Sequence, residues 1–410
     1  MLLQNALSGE GRRVDVRLAD GLVAEVAPAS ALSASPREEV LDLDGYLLLP
    51  ALAEPHTHLD KALTADRFGR EFTELLAAID AWHGHRETLG IDDIAARARR
   101  AALRFVANGA TAIRTHADVG QGIELRAVEA LVRVREELRP LADVQVVALT
   151  YPLTGVAGAS NRSLLREALA MGADVAGGAP HVDPDPAGHV EAVLEEAAEA
   201  GRPVDLHADE NMRPDSVDLL ELVARVAQGF PHGATASHCV SLGVQPPEVQ
   251  AERAAAAAAA GVAVVTCPVA NLYLQARDRP AETPRGLTAL AALRAAGATL
   301  AGGGDNVQDC FIPVGPADPL VTAQYLVVAG QLTPGAALEL VGSGARAVMG
   351  LPPLALAPGS PADLVAVGAS SPREAVAAPT SRRLVFRRGE LVCRTDVAST
   401  SAADALSPTL

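Results

Sequence analysis

Residues 254–267 read AAAAAAAGVAVVTC, and this stretch contains the unit from which we expect the fold to be built. The alanine tract suits the interior of a helix. Gly261 stands where a helix ends on a residue in the left-handed conformation. The short apolar run that follows, Val262–Cys267, is typical of a buried strand. The stretch therefore predicts a helix, a glycine stop and a strand in succession.

The same succession recurs from about residue 50 to residue 345. Glycines stand at the predicted ends of helices: Gly109, Gly172, Gly201, Gly233, Gly261 and Gly297. From Gly172 onward they recur every 28 to 36 residues, which is the length of one strand–helix unit. The predicted strands are Tyr46–Leu52, Ala112–His116, Val144–Thr150, Asp174–Ala179, Val204–His207, Ala234–His238, Val262–Cys267 and Ala298–Gly302. Eight units predict an α/β fold, a (β/α)8 TIM-type barrel, with a doubly wound open sheet as the alternative.

The two ends of the chain have a different pattern. Residues 1–49 and 350–398 contain short strand-like runs broken by glycine and proline, and neither end could form a core alone. We expect them to pair into one small β-sandwich domain that flanks a barrel domain of residues 50–349. Residues 399–410 are predicted to be a disordered tail.

Composition excludes several classes of protein. The chain has 410 residues, 49% of them hydrophobic, and a net charge of −16, which argues against nucleic-acid and anionic-membrane partners. No apolar run is long enough to span a bilayer, and residues 1–14 do not resemble a signal peptide, so we expect a cytoplasmic protein. The four cysteines are scattered, which argues against zinc-ribbon and disulfide scaffolds. We expect a small-molecule partner; a homo-oligomer is compatible with the sequence.

Two histidines follow the first predicted strand, in the segment EPHTHLD of residues 54–60. His56 and His58 are two residues apart, so on an extended backbone their side chains point the same way. Two imidazoles on one face suit a zinc or iron site. A pair of hydrogen-bonding loop histidines is the alternative interpretation.

Further polar residues follow later strands. His207 could be a third metal ligand, and Glu210 could move a proton, although a glutamate that opens a helix is the alternative. His238 could bind metal or the attacking hydroxide, or be a core histidine. Asp305 follows three glycines and could ligate metal or deprotonate water, although a turn aspartate alone is common. Because strand ends of a barrel share one mouth, these residues together indicate a mononuclear metal hydrolase.

A second metal would need a bridging lysine at the end of strand four, where the sequence reads GGAPH at residues 177–181. Lys61, the only lysine among 34 basic residues, is poorly placed to bridge and could instead hold Asp60 or Glu54. One divalent ion is therefore expected. A serine hydrolase is disfavoured, because the chain has no Gly-x-Ser-x-Gly motif.

The motifs EPHTHLD (54–60), RTHADV (114–119), HADE (207–210), ASH (236–238) and GDNV (304–307) occur in the order found in the cytosine-deaminase branch of the amidohydrolase superfamily, which the chain closely resembles. The resemblance covers residues 44–395. It implies a (β/α)8 barrel with a flanking β-sandwich. It also implies that His56, His58, His207 and Asp305 hold one zinc or iron ion. Glu210 would then be the proton shuttle, and His238 would contact the metal-bound water.

The sequence departs from the family at the substrate pocket. The family's pyrimidine-reading glutamine after strand three corresponds to Leu153, which cannot form a side-chain hydrogen bond. Asn306 replaces a second aspartate, and Phe311 replaces a tryptophan. With His181 these residues are the predicted substrate contacts. We expect Leu153 to face the substrate and to disfavour cytosine itself.

The sequence therefore predicts a metal-dependent deaminase of a cytosine-like ring, a modified pyrimidine, a triazine or a related heterocycle, with metal-bound hydroxide as nucleophile. A hydrolase of a cyclic amide or an N-alkylamino group, using the same chemistry, is the alternative. A barrel that binds metal or ligand without turnover is disfavoured, because binding alone needs no proton shuttle such as Glu210.

Overall fold

The computed structural model describes residues 1–279, 281–379 and 382–398. It divides into two compact units, one formed by Met1–Pro50 with the chain from Ala355 onward, and the other by Ala51–Leu354. Within the described ranges no helix is both long enough and apolar enough to cross a bilayer. The tail predicted for residues 399–410 lies outside the described residues.

The first unit is built from both ends of the chain. Its strands are β1 (Leu2–Ser8), β2 (Arg13–Ala19), β3 (Leu22–Pro28), β4 (Val40–Asp42), β5 (Leu47–Pro50), β14 (Leu364–Val367), β15 (Arg383–Arg387) and β16 (Glu390–Thr395), with helix α13 (Pro372–Ala377) between β14 and β15. They form one hydrogen-bonded sheet in the order β16-β15-β14-β5-β1-β2-β3, with β4 paired to β1. Antiparallel pairing of β5 with β14 joins the two ends of the chain. Alternate residues such as Leu364, Ala366, Leu384 and Phe386 share one buried apolar cluster.

The second unit contains eight parallel strands in sequential order. They are β6 (Leu52–Thr57), β7 (Ala110–Val119), β8 (Asp143–Thr150), β9 (Val175–Gly178), β10 (Val204–Ala208), β11 (Ala234–His238), β12 (Val262–Thr266) and β13 (Leu300–Gly302). Nearly every strand residue is buried, as expected for strands covered on both faces. The predicted (β/α)8 barrel is confirmed.

One predicted strand was wrong. The run Tyr46–Leu52 is split between two sheets, because Leu47–Pro50 forms β5 in the first unit and the first barrel strand is Leu52–Thr57. The apolar stretch LLLPALA of residues 47–53 continues across the boundary, so hydrophobicity alone does not show where one sheet ends and the other begins. The correction places His56 inside the strand rather than after it.

Nine helices connect the described barrel strands: α1 (Leu75–Arg86), α2 (Ile91–Ala107), α3 (Arg126–Leu138), α4 (Gly155–Met171), α5 (Pro186–Ala200), α6 (Asp218–Ala227), α7 (Pro247–Ala260), α8 (Pro268–Leu274) and α9 (Leu290–Ala295). Three more follow the last barrel strand: α10 (Pro319–Val328), α11 (Pro334–Val341) and α12 (Ser343–Val348). Helices α4, α5 and α7 end on Gly172, Gly201 and Gly261, each with positive φ. These glycines act as the stops that the sequence predicted, because L-residues with a Cβ rarely adopt this conformation.

The first and last barrel strands meet at a short bridge rather than a full ladder. Thr57 and Asp305 form an isolated parallel bridge. The amide of Asp305 donates to the carbonyl oxygen of His56 at 2.8 Å, and the amide of His58 donates to that of Asp305 at 3.4 Å. The barrel thus closes at residues that the sequence selected as metal ligands.

Candidate active site

Predicted site residues from four strand ends come together at the carboxyl-terminal mouth of the barrel. His56 lies near the end of β6, His207 near the end of β10, and His238 is the last residue of β11. Asp305 follows β13 and Glu210 follows β10. All of these side chains are buried. Parallel strands bring their ends to one edge, which explains why residues 249 positions apart in the chain share one site.

Four donor groups converge at this mouth. The Nε2 atoms of His58 and His207 lie 3.2 Å apart. Oδ1 of Asp305 lies 3.4 Å from Nε2 of His58 and 3.8 Å from Nε2 of His56. Donor atoms that bind one zinc ion at 2.0–2.2 Å are about 3.3–3.6 Å apart in a tetrahedral site. The observed separations are close to that spacing.

Nε2 of His56 shows that this set fits a metal ion. The atom is buried and has no hydrogen-bond partner within the described chain. A buried imidazole nitrogen without a partner is costly, and a cation at this point would satisfy it. The donor set of three imidazoles and one carboxylate is also the kind that zinc and iron prefer.

The other nitrogen of His56 is held by a chain of buried groups. Its Nδ1 lies 2.9 Å from the hydroxyl of Ser237, which donates to Asp205 at 2.8 Å. Arg114 donates to the second oxygen of Asp205 at 2.9 Å. In this arrangement Nδ1 of His56 carries the proton, so Nε2 presents a lone pair to the site. Such partners orient a metal ligand and increase its basicity.

Lys61 pairs with Asp60, one of the two carboxylates that the sequence suggested, and more closely with Asp118, which it did not suggest. Its Nζ donates to Asp118 at 2.6 Å and lies 3.5 Å from Asp60, while Glu54 instead accepts from the backbone amides of His56 and Gly304. Although burial favours the neutral amine, the carboxylates of Asp118 and Asp60 raise the pKa of Lys61 above its usual value. Nζ also lies 3.2 Å from Nδ1 of His58, so this buried ion pair supports a candidate metal ligand.

Asp118 also anchors helix α1. Trp82 donates to the carboxylate of Asp118 at 2.7 Å and Arg86 donates to it at 3.0 Å. The helix therefore connects to the same carboxylate as Lys61. Because α1 contributes Leu75 and Ile79 to the cavity described below, this contact fixes one wall of the site.

Glu210 lies between two histidines. Its carboxylate is 3.5 Å from Nδ1 of His238 and 3.9 Å from Nε2 of His181. Burial, followed by the nearby charge of Asp305, raises the pKa of Glu210 well above its usual value. Burial lowers the pKa of His238 to about 3 and that of His181 to about 4. A bound divalent cation would lower the pKa of Glu210 again, which suits a group that both takes and gives a proton.

Asp305 and His238 adopt unusual backbone conformations. Their φ values are 65° and 72°, in the left-handed region that residues other than glycine seldom adopt. Asp209, next to Glu210, has φ 51° and accepts from the amides of Asp218 and Leu219. Strained backbone of this kind is concentrated in functional sites, where the surrounding structure holds it.

A cavity opens beside these groups. One end of the cavity is lined by the candidate metal-binding and proton-transfer residues His58, His207, Glu210, His238 and Asp305. Lys61 and Tyr151 add further polar atoms. Seven apolar residues complete the lining: Leu75, Ile79, Leu149, Ala179, Val182, Leu274 and Phe311. The cavity therefore suits a flat ring with an apolar edge.

Three of the four predicted substrate contacts line the cavity, and the fourth does not. Phe311, Asn306 and His181 line the cavity. Leu153 does not line it, although the sequence argument placed it against the substrate. Its side chain is buried elsewhere, and its amide donates to Asp183 at 2.7 Å. The extended backbone of β8 ends at Thr150, so the alternation of side chains cannot be continued to residue 153.

Leu149, on β8, and Tyr151, the first residue after it, line the cavity in place of Leu153. Leu149 and Tyr151 are two positions apart, so they share one face, just as His56 and His58 do. Sequence reasoning missed them, but this two-residue spacing at the end of β8 was a signal that could have identified them. The hydroxyl of Tyr151 lies 3.3 Å from Nε2 of His83 on α1.

His116 is a further buried residue to which the sequence assigned no role. It is fully buried on β7, and its ring centroid lies 4.0 Å from that of His56. Neither ring nitrogen has a hydrogen-bond partner in the described chain. The side chain packs directly against the proposed metal ligands.

A comparison with protein families agrees with this geometry. A model described as "Amidohydrolase family" matches residues 62–393. A pterin deaminase from Rhizobium rhizogenes strain K84 is 31% identical over 395 residues, which are 94% of this chain and 90% of that protein.

Solved structures are also similar. The 5-methylcytosine deaminase of Klebsiella pneumoniae, liganded with 5-fluorocytosine, superposes with a TM-score of 0.87 at 28% identity, covering 98% of this chain and all of that one. The N-isopropylammelide isopropylaminohydrolase of Burkholderia multivorans gives a TM-score of 0.82 at 33% identity, covering 96% of this chain and 98% of that one.

Proposed function

The chain belongs to the amidohydrolase family, and on this premise we propose that its barrel hydrolytically removes an amino group from a small nitrogen heterocycle. The overall reaction converts an aminated ring carbon and water into a ring carbonyl and ammonia. The observation that carries the proposal is the position of Glu210, a buried carboxylate in the cavity wall between His238 and His181.

The metal dependence of the family is matched by the convergent donor groups. We assign His56, His58, His207 and Asp305 as the residues that hold one divalent ion, zinc or iron. The ion would act as a Lewis acid that makes a water molecule nucleophilic near neutral pH. Ser237 and Lys61 orient His56 and His58 for this role.

Proton movement is the task of the chain's own residues. Glu210 takes a proton from the attacking water and delivers it to the leaving amino nitrogen. His238, 3.5 Å from Glu210, holds the attacking oxygen by a hydrogen bond. Asp305, which follows β13, orients the same water. Each role needs a buried group beside the proposed metal ion, and Glu210, His238 and Asp305 are buried and line the cavity there.

The cavity wall supports a ring with an apolar edge. Phe311 packs against the ring, while Asn306 and His181 supply polar contacts. Leu149 faces the edge that a polar group would occupy in cytosine. These features and the similarity to a pterin deaminase and a 5-methylcytosine deaminase favour a pterin or a substituted pyrimidine over cytosine.

A second candidate function is hydrolysis of an N-alkylamino substituent. It is favoured by the 33% identity to the Burkholderia N-isopropylammelide hydrolase. The seven apolar lining residues could surround an alkyl group as well as a ring edge. The same metal and the same proton shuttle would serve both reactions.

An amine-release screen tests the proposal. Purified, metal-analysed protein is incubated with pterin, 5-methylcytosine, cytosine and N-isopropylammelide, and ammonia and isopropylamine are quantified separately. We expect ammonia from pterin or 5-methylcytosine, with cytosine a poorer substrate. Isopropylamine as the main product would select the second function, and no amine from any ring would reject both. A cytoplasmic location and the absence of nucleic-acid and membrane partners stay predictions.

A further inference from the structure

Cys267 lies beside the proposed metal ligands but belongs to none of the roles above. It is the first residue after β12 and is fully buried. Its Sγ, a ring nitrogen of His56, a ring nitrogen of His238 and a carboxylate oxygen of Asp305 all lie within 4.8 Å of one another. Four side chains that can bind a metal ion therefore lie close together beside β12, the seventh strand of the barrel.

Two of these groups have unused donor atoms. Nε2 of His56 and Nε2 of His238 are buried and have no hydrogen-bond partner in the described chain. An isolated buried thiol would be inert, but here its sulfur lies within 4.8 Å of a ring nitrogen of each of these two histidines.

The thiol of Cys267 also differs from the other buried thiols. Cys239 donates to the carbonyl oxygen of Ala236 at 3.7 Å, and Cys310 donates to that of Ala78 at 3.8 Å. For Cys267 no such acceptor is found among the described residues. Its sulfur is thus available to a ligand in a way that the other two are not.

We propose that Cys267 supplies a thiolate ligand to a second coordination position, formed with His56, His238 and Asp305, which takes up thiophilic divalent ions such as cadmium. Two nitrogens, one sulfur and one oxygen match the preference of such ions for mixed sites that contain thiolate. Binding replaces the thiol proton by a sulfur–metal bond and releases that proton to solvent, without any change of oxidation state.

The two coordination positions exclude each other. Both use His56 and Asp305, and one imidazole nitrogen cannot bind two ions. A thiophilic ion in the second position would also occupy His238. If the proposed function holds, the ion therefore removes two residues that handle the attacking water. The metal-binding test below does not depend on any substrate.

Cadmium substitution tests the proposal by spectroscopy. The full chain is dialysed against a chelator and reloaded with cadmium, and the ultraviolet sulfur-to-cadmium charge-transfer band is titrated. We expect the band to saturate at one cadmium per chain. The Cys267→Ala variant should lack the band, and the matched control Cys310→Ala should keep it, because Cys310 lies outside the cluster.

X-ray absorption of the cadmium-loaded wild-type protein gives a second measurement that needs no variant. We expect one sulfur atom directly bound to cadmium. A cadmium ion bound only to nitrogen and oxygen would overturn the proposal, and so would a charge-transfer band that survives in Cys267→Ala.

Discussion

The backbone amide of Asp305 donates a 2.8 Å hydrogen bond to the carbonyl oxygen of His56. These two residues belong to the last and first strand ends of the barrel, and their side chains converge at the proposed metal site. The left-handed φ of Asp305 directs the chain into this contact. The same contact therefore closes the barrel and places the two proposed ligands, and a change that disturbs the one should also disturb the other.

Ser237→Ala should weaken metal binding. The hydroxyl of Ser237 links His56 to Asp205, and removal of such a partner typically costs 10–100-fold in metal affinity. Competition with a chelator measures the change. The control is Ser241→Ala, because Ser241 is also buried but its hydroxyl has no partner among the described residues. Equal affinities for the two variants would refute the role given to Ser237.

Glu210→Gln should abolish proton transfer while leaving the metal in place. The amide keeps the size of the side chain but cannot accept the water proton, so kcat should fall by roughly two to four orders of magnitude. The measurement is kcat at saturating substrate, together with metal content by elemental analysis. Glu248→Gln, an exposed change in the first turn of α7, is the control. A Glu210→Gln variant near the wild-type rate would show that another residue moves the proton.

Leu149→Ala should change substrate preference, whereas Leu153→Ala should not. Leu149 lines the cavity and Leu153 lies outside it. Loss of an apolar contact in a pocket is worth about 1–3 kcal/mol, or roughly 10- to 200-fold. The ratio of kcat/KM for 5-methylcytosine to that for cytosine is the relevant measurement, because a stability loss affects both substrates alike. A shift caused by Leu153→Ala alone would restore the interpretation made from the sequence.

Asp183→Asn should lower stability in a pH-dependent way. Burial disfavours the Asp183 carboxylate, but hydrogen bonds from His189, Thr154 and backbone amides outweigh burial and lower its pKa. The carboxylate therefore stabilises the fold above the ordinary aspartate pKa of about 4, and this contribution is lost as the pH falls further. The variant should lose about 1–3 kcal/mol at pH 7.

Urea unfolding of wild type and Asp183→Asn over a pH series measures this effect. The difference between their free energies of unfolding should be constant between pH 6 and 7 and should shrink below about pH 4. A difference that is independent of pH would mean that the charge of Asp183 is not what stabilises the loop after β8.

The sequence predicted the barrel, and it singled out the residues that converge at the barrel mouth, because both depend on local patterns. The two-residue spacing of His56 and His58 and the glycine stops of the helices are visible without a structure. The end of extended backbone at Thr150 is not visible, which is why Leu153 was expected in the cavity wall that Leu149 and Tyr151 line.

Contacts between side chains that are far apart in the sequence also could not be predicted from local sequence patterns. Lys61 does lie 3.5 Å from Asp60, as expected, but its nearer partner, at 2.6 Å, is Asp118, 57 positions later on β7. Which carboxylate reaches a buried lysine depends on how neighbouring strands are aligned, and the strand-to-strand register of β6 and β7 is interrupted near His56. The contacts of Ser237 with His56 and Asp205 also join residues of different strands, so local sequence pattern did not show them either.

The most direct test of this account is a metal titration of the chelator-treated protein, with the rate of ammonia release followed at each addition of zinc or iron. The substrate is the ring that gives most ammonia in the screen. The account predicts a rate near zero without metal and a linear rise that ends at one equivalent per chain. Full activity without metal, or a rise that continues to two equivalents, would contradict the assignment of His56, His58, His207 and Asp305 to one catalytic ion.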